Sequence, residues 1–144
     1  IADGSHLPAS LLQLIYKLKG PSRIALITDS MRAAGMGPGE SILGSLKDGI
    51  KVIVEDGVAK LPDRSSFAGS VATADLLVRN MVKLAGVPLT HAIQMMSTTP
   101  AQICKLHHRK GRLCAGMDAD MVIFDEDISI LSTIIQGRII INKL

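Results

Sequence analysis

Ile24-Ala25-Leu26-Ile27-Thr28-Asp29-Ser30 is the stretch whose reading decides the fold. Consecutive apolar residues without polar alternation suit a strand buried on both faces, as in a parallel sheet. The run ends at Thr28-Asp29-Ser30 and opens into residues 31–45, which carry Gly35, Gly37, Pro38, Gly39 and Gly44. A long glycine-rich loop after a buried strand is a usual seat of function. Upstream, Ile1-Ala2-Asp3-Gly4 reads as the tail of another strand. Residues 8–19 read as a helix, with Leu11, Leu12, Leu14, Ile15 and Leu18 on one face, Pro8 near the first turn and Gly20-Pro21 at the end. Strand, helix, strand is the repeat of an α/β fold.

Downstream, Lys51-Val52-Ile53-Val54 and Val58-Ala59-Lys60-Leu61 flank Asp56-Gly57, a common turn dipeptide, and predict a hairpin over 51–61. Residues 71–85 and 89–106 predict two helices, with Ser70 or Thr73 capping the first, Thr90 capping the second, and Pro100 breaking the second. From Gly111 the pattern changes: Met121-Val122-Ile123-Phe124 and Ile139-Ile140-Ile141 are strand-like and predict a small β unit.

The chain has 144 residues, 47% of them hydrophobic, with one tyrosine, two phenylalanines and no tryptophan. An aliphatic core follows, and disorder is excluded. The net charge of +3 is mild, and basic residues cluster only at Arg109, Lys110 and Arg112. Without a basic stripe interleaved with aromatics, no nucleic acid partner is expected. No apolar run approaches the roughly 18 residues of a membrane span, and no signal peptide is evident, so no membrane partner is expected. Cys104 and Cys114 lack metal-like or redox spacing. Two semi-buried free thiols and a cytoplasmic location are the expectation. The chain opens inside what reads as a strand, and not on Met, so a fragment is expected.

Asp29 is the sharpest candidate for chemistry. It stands at the carboxyl end of a buried strand, where β/α folds bind ligands. An Asp there can act as a general base on water or as a metal ligand; equally, it can hold loop amides. His6 follows the other strand end, and parallel strands would bring it to the same face as Asp29. His91 reads as a surface or capping residue, and His107-His108 as a solvated helix end. Ala68-Gly69-Ser70 could aim amides at an anion or simply start a helix. The scattered methionines read as core filling.

Taken in order, Ile1-Ala2-Asp3-Gly4-Ser5-His6-Leu7, Leu26-Ile27-Thr28-Asp29-Ser30-Met31 with Ala34-Gly35, Val54-Glu55-Asp56-Gly57-Val58-Ala59 and Phe67-Ala68-Gly69-Ser70 resemble the N-acetylglucosamine-6-phosphate deacetylase family. They match its C-terminal third to half. Lys110-Gly111-Arg112-Leu113, Gly116 and Asp118-Ala119-Asp120-Met121-Val122 resemble the closing segment of the wider amidohydrolase superfamily.

The resemblance implies an α/β fold: the C-terminal part of a metal-dependent hydrolase (β/α)8 TIM barrel, with the C-terminal strands of a small β-sandwich. Residues 1–108 would be the last β/α units of the barrel, hairpin 51–61 included, and residues 109–144 the sandwich segment. It implies hydrolysis of the acetamido group of an amino-sugar phosphate, with Asp29 catalytic and a possible second-metal ligand. His6, Phe67, Ala68 and Gly69 would bind substrate, Phe67 standing where the family usually has Leu. A divalent metal, zinc or similar, is implied for the full-length enzyme. Its main ligands, a Glu and two His, would come from earlier strands, leaving this chain without metal ligands and inactive alone. A homo-oligomer is implied as well. Another amidohydrolase (a deaminase or cyclic-amide hydrolase) and a non-catalytic self-associating module are the competing readings.

Overall fold

A computed structural model describes residues 1–144. The first helix, α1 (Ala9–Lys19), follows Pro8 at its N-cap and stops at Gly20, where a 3-10 turn over Pro21–Arg23 takes over. Then come four strands: β1 (Gly39–Leu43), β2 (Ile50–Glu55), β3 (Val58–Lys60) and β4 (Phe67–Ser70). They form an antiparallel meander in the order β1-β2-β3-β4. Helices α2 (Ala74–Lys83), α3 (Leu89–Met96) and α4 (Thr98–Ile103) follow. The chain closes with β5 (Met121–Phe124), β6 (Ile130–Ile135) and β7 (Arg138–Asn142), a three-stranded antiparallel sheet. No helix is long and apolar enough to cross a membrane.

The expected hairpin forms. Glu55 pairs with Val58 across Asp56-Gly57, whose φ angles of 52° and 75° are both left-handed. A two-residue turn of that hand matches the twist of the flanking strands, and Asp and Gly tolerate it.

Three expectations are corrected. Residues 1–7 and 23–29 form no strands. A strand exists only through a ladder to a neighbour, and these segments are tied by single bonds instead. Ile24 is extended, the Leu26 amide donates to the Met95 carbonyl at 2.9 Å, and a single parallel bridge joins Ser30 to Ser70. Second, residues 39–43 of the expected loop are strand β1; its apolar half, Ile42-Leu43, is preceded by glycines that hid it. Third, the long second helix breaks at Ser97 (φ −126°, ψ −70°), not at Pro100, and Thr90 does not cap it, because Pro88 stands at its N-cap. Pro100 lies in the first turn of α4, where a missing N–H costs nothing because that group has no intrahelical acceptor.

Two cores result. The larger packs Leu77, Val78 and Met81 of α2 against Ala92 and Met95 of α3, with Leu12 of α1, Ala2, Leu26 and Ile128. Ile128 enters from the β5–β6 turn, where Arg79 donates to the carbonyls of Asp127 at 2.7 Å and Ile128 at 2.9 Å. The smaller core lies under the meander: Met31, Ala33, Val52, Val54, Ala59 and Ala68. Met31, Met81 and Met95 are core filling as expected, whereas Met36 is 77% exposed. Both cysteines are free and exposed rather than half-buried.

Leu77 is completely buried and Leu113 is 75% exposed. Leu77→Ala is therefore expected to destabilise the fold by about 3 kcal/mol through lost transfer energy and the cavity left behind. Leu113→Ala should stay within about 0.5 kcal/mol. Urea unfolding monitored by circular dichroism checks both.

Candidate functional site

His6 is held by a side chain three residues before it. Its Nδ1 lies 2.7 Å from Asp3 Oδ2, and the Asp3 side chain is only 1% exposed. Asp3 Oδ1 accepts from the amides of Ser5 and His6, each at 3.0 Å. Ser70, at the end of β4, donates through Oγ to Asp3 Oδ2 at 3.1 Å. One buried carboxylate thus takes four hydrogen bonds, from the segment that bears His6 and from the meander. The segment itself is fixed one residue earlier: Ala2 is buried in the larger core, and Asn80 of α2 donates to its carbonyl at 2.9 Å.

Asp29 is held differently. Its backbone is left-handed, with φ 52°, a conformation that Asp tolerates better than most residues. Its carbonyl accepts from the Ser70 amide at 3.1 Å, and the Ser70 carbonyl accepts from the Met31 amide at 2.8 Å. Ser30 donates through Oγ to the Ala72 carbonyl. Leu26 before it sits in one core and Met31 after it in the other. The Asp29 side chain is exposed.

Both segments therefore meet on Ser70. Strand β4 carries a bulge: Val58 pairs with Ser70 but Lys60 with Phe67, so β4 has one residue more than β3 over the same stretch. Bulges re-aim side chains and are frequent beside active sites. Here Gly69 takes φ 87°. A Cβ there would meet only ordinary contacts at 3.7 Å, so the backbone angle, not crowding, calls for glycine. Phe67 stands outward with its ring centroid 5.0 Å from that of His6, tilted 58°. Ala68 packs inward, so only its backbone can meet a ligand. A cavity of about 420 Å³ opens beside Phe67, lined also by Lys60, Arg64, Ser65 and Ser66. The two basic groups there are already paired: Lys60 with Glu55 and Asp56, Arg64 with Glu55.

The other candidates fall away from this site. His91 is not a cap; its Nδ1 is 2.6 Å from the Tyr16 hydroxyl and joins α3 to α1. His107 and His108 are exposed beyond α4. Ala68-Gly69-Ser70 is strand rather than helix start, and the Ser70 amide already serves Asp29, which removes the anion reading. Arg109 and Lys110 pair with Asp118 at 2.7 Å and 2.9 Å, a structural use of the one basic cluster. From the sequence alone Asp3 has no role of its own, and Ser70 reads only as a helix cap or an amide for an anion. The Asp3-x-x-His6 spacing was visible but had no partner; Ser70 lies 67 positions away, and nothing local signals it.

A model of the amidohydrolase family matches residues 1–140. The chain belongs to the amidohydrolase family. It is 42% identical over 139 residues to an N-acetylglucosamine-6-phosphate deacetylase of Lysinibacillus sphaericus, covering 96% of this chain and 34% of that protein. It is 31% identical over 140 residues to the human protein of that name, covering 97% of this chain and 33% of the relative. The chain thus spans about a third of the length of these relatives. Among solved structures, the Thermotoga maritima deacetylase superposes with a TM-score of 0.86 at 34% identity, covering 99% of this chain and 38% of that one. A Mycobacterium smegmatis deacetylase mutant in complex with N-acetyl-D-glucosamine-6-phosphate gives 0.87 at 31%, covering 98% and 36%. Amidohydrolases generally depend on metal ions. Nowhere in this chain do three or more His, Cys, Asp or Glu side chains gather as a metal site.

Burial works to raise the Asp3 pKa, but hydrogen bonds from the His6 amide, the His6 ring and the Ser5 amide, with the attraction of that ring, hold it below the ordinary carboxylate value. A group whose folded pKa is depressed stabilises the fold above its unfolded value of about 4 and loses that contribution as pH falls through the folded value. Asp3→Asn should lower stability by about 1–2 kcal/mol at pH 7, and the gap should close as pH drops below about 4. Thermal unfolding of both proteins across that range reads the difference.

Proposed function

We propose that this chain carries the catalytic carboxylate and part of the sugar-binding edge of an N-acetylglucosamine-6-phosphate deacetylase. The reaction is hydrolysis of the 2-acetamido group to glucosamine 6-phosphate and acetate. The observation that carries this reading is the junction at Ser70, which joins the His6 segment through Asp3 and the Asp29 backbone to one bulged strand. The names and structures of the relatives support the same substrate.

In this reading Asp29 accepts a proton from the water whose oxygen attacks the acetamide carbon. Its protonated carboxyl then delivers that proton to the amide nitrogen as the carbon–nitrogen bond breaks. One carboxylate serves both steps because an amine leaves poorly unless protonated. Its exposure leaves it free to meet both water and nitrogen. His6 and the Phe67 ring border the sugar, and Ala68 and Gly69 offer backbone groups at the bulge. These residues do not compose a metal site, so the divalent metal that the family uses would need ligands from elsewhere in the enzyme.

We place residues 1–108 with a (β/α)8 barrel and 109–144 with a companion β unit, in a cytoplasmic enzyme that acts on a small amino-sugar phosphate. The exposed Ile139, Ile140 and Ile141 of β7 favour self-association. Light scattering tests that, and a strictly monomeric protein counts against it.

The full-length gene product is expected to release acetate from N-acetylglucosamine 6-phosphate, and Asp29→Asn to lower kcat roughly a thousandfold with circular dichroism unchanged. Ammonia from nucleobases, or opening of cyclic amides in place of acetate release, would instead favour another amidohydrolase activity.

A further inference from the structure

The contact between Asp3 and His6 has a chemical consequence beyond holding the ring. An ionised carboxylate only accepts hydrogen bonds, so the Nδ1 that lies 2.7 Å from it must carry a proton. The neutral ring then has its lone pair on Nε2. The ring is 22% exposed while its partner carboxylate is 1% exposed, and the Phe67 ring tilts against it. Both Asp3 oxygens are committed: Oδ1 to two backbone amides, Oδ2 to the ring and to Ser70 Oγ. The carboxylate cannot turn out of this plane without breaking its bonds to the Ser5 and His6 amides, which can only donate.

We propose that Asp3 is a positioning residue for ligand binding: it locks His6 in the Nδ1–H form, so that Nε2 is offered as an acceptor to a hydroxyl of a sugar-class ligand. The ligand class rests on the deacetylase reading; the lock on the ring does not.

Asp3→Asn separates positioning from mere support. The Asn carbonyl oxygen must face the Ser5 and His6 amides, which turns its NH2 group toward Nδ1. Nδ1 then has to accept, and the ring proton moves to Nε2. Nitrogen NMR of histidine-labelled protein, recorded with the ring neutral, reads this directly. The expected result is Nδ1–H in the wild type and Nε2–H in Asp3→Asn. In the full-length gene product the same substitution is expected to raise KM for N-acetylglucosamine 6-phosphate roughly tenfold, with the loss greater in KM than in kcat. An Nε2–H wild-type ring, or an Asp3→Asn ring that keeps the wild-type tautomer, overturns the lock; an unchanged KM overturns its role in binding. Should Asp3→Asn fail to fold, the wild-type tautomer decides, together with Ser70→Ala, which leaves the ring contact in place and should keep Nδ1–H. Acetate release absent from the wild-type enzyme while the tautomer inverts as expected counts against the deacetylase reading and leaves the lock standing.

Discussion

A carboxylate out of water is costly unless its lone pairs are filled, and Asp3 is the group this constraint bears on most. Its four donors come from Ser5, His6 and Ser70. Two of them are backbone amides of the turn that Asp3 itself begins, so the carboxylate shapes the path of the chain toward His6. The fourth donor belongs to the meander. Removing any one donor would leave a buried charge under-satisfied, which is why this network holds its geometry more firmly than an exposed ion pair would. The bonds of Lys60 and Arg64 to Glu55 lie at the surface and carry no comparable constraint.

The site lies on the seam between two cores. Ala2 and Leu26 are embedded among the helices, and Met31 and Ala68 under the meander. Each of the two segments is therefore pinned on one side or both by apolar packing, while the polar residues occupy the short span between anchors. Ser70 is fully buried at that seam. Its Oγ accepts from the Ala72 amide at 3.0 Å while donating to Asp3, and its own amide and carbonyl serve Asp29 and Met31. Few small residues could satisfy that many partners in so little space.

Much of this was legible in the sequence where local physics decides. Asp56-Gly57 specified its turn because only a few residues accept two successive left-handed angles. The first helix showed in the spacing of Leu11, Leu12, Leu14, Ile15 and Leu18. Asp29 and His6 stood out by their places after apolar runs, and the family by its ordered motifs. What failed was non-local. Residues 24–27 read as strand because they are apolar, yet a ladder depends on a neighbour that composition does not reveal. Strand β1 was masked by Gly35, Gly37 and Gly39, and β6 by the acidic turn at Asp125-Glu126-Asp127. The break at Ser97 depends on the angles of a residue with no breaker signature. Ser70 as the meeting point of two segments is a property of the bulge, which exists only once β3 and β4 pair.

His6 and Asp29 are restrained in opposite ways, and the difference suits the roles proposed for them. His6 is gripped through its ring, on one side by a buried carboxylate and on a face by Phe67. A binding group gains from that, because preorganisation removes the entropy its ordering would otherwise cost. Asp29 is gripped through its backbone, by the Ser70 amide, and its side chain projects from a left-handed residue into solvent. A carboxylate that must take a proton from one atom and deliver it to another needs two orientations, and a ring-like lock would forbid the second. Anchoring the main chain while leaving the side chain exposed is compatible with that need. The placement of Ser70 between them lets one strand supply both kinds of restraint: a side-chain hydroxyl for the Asp3 carboxylate that holds His6 and a main-chain amide for Asp29.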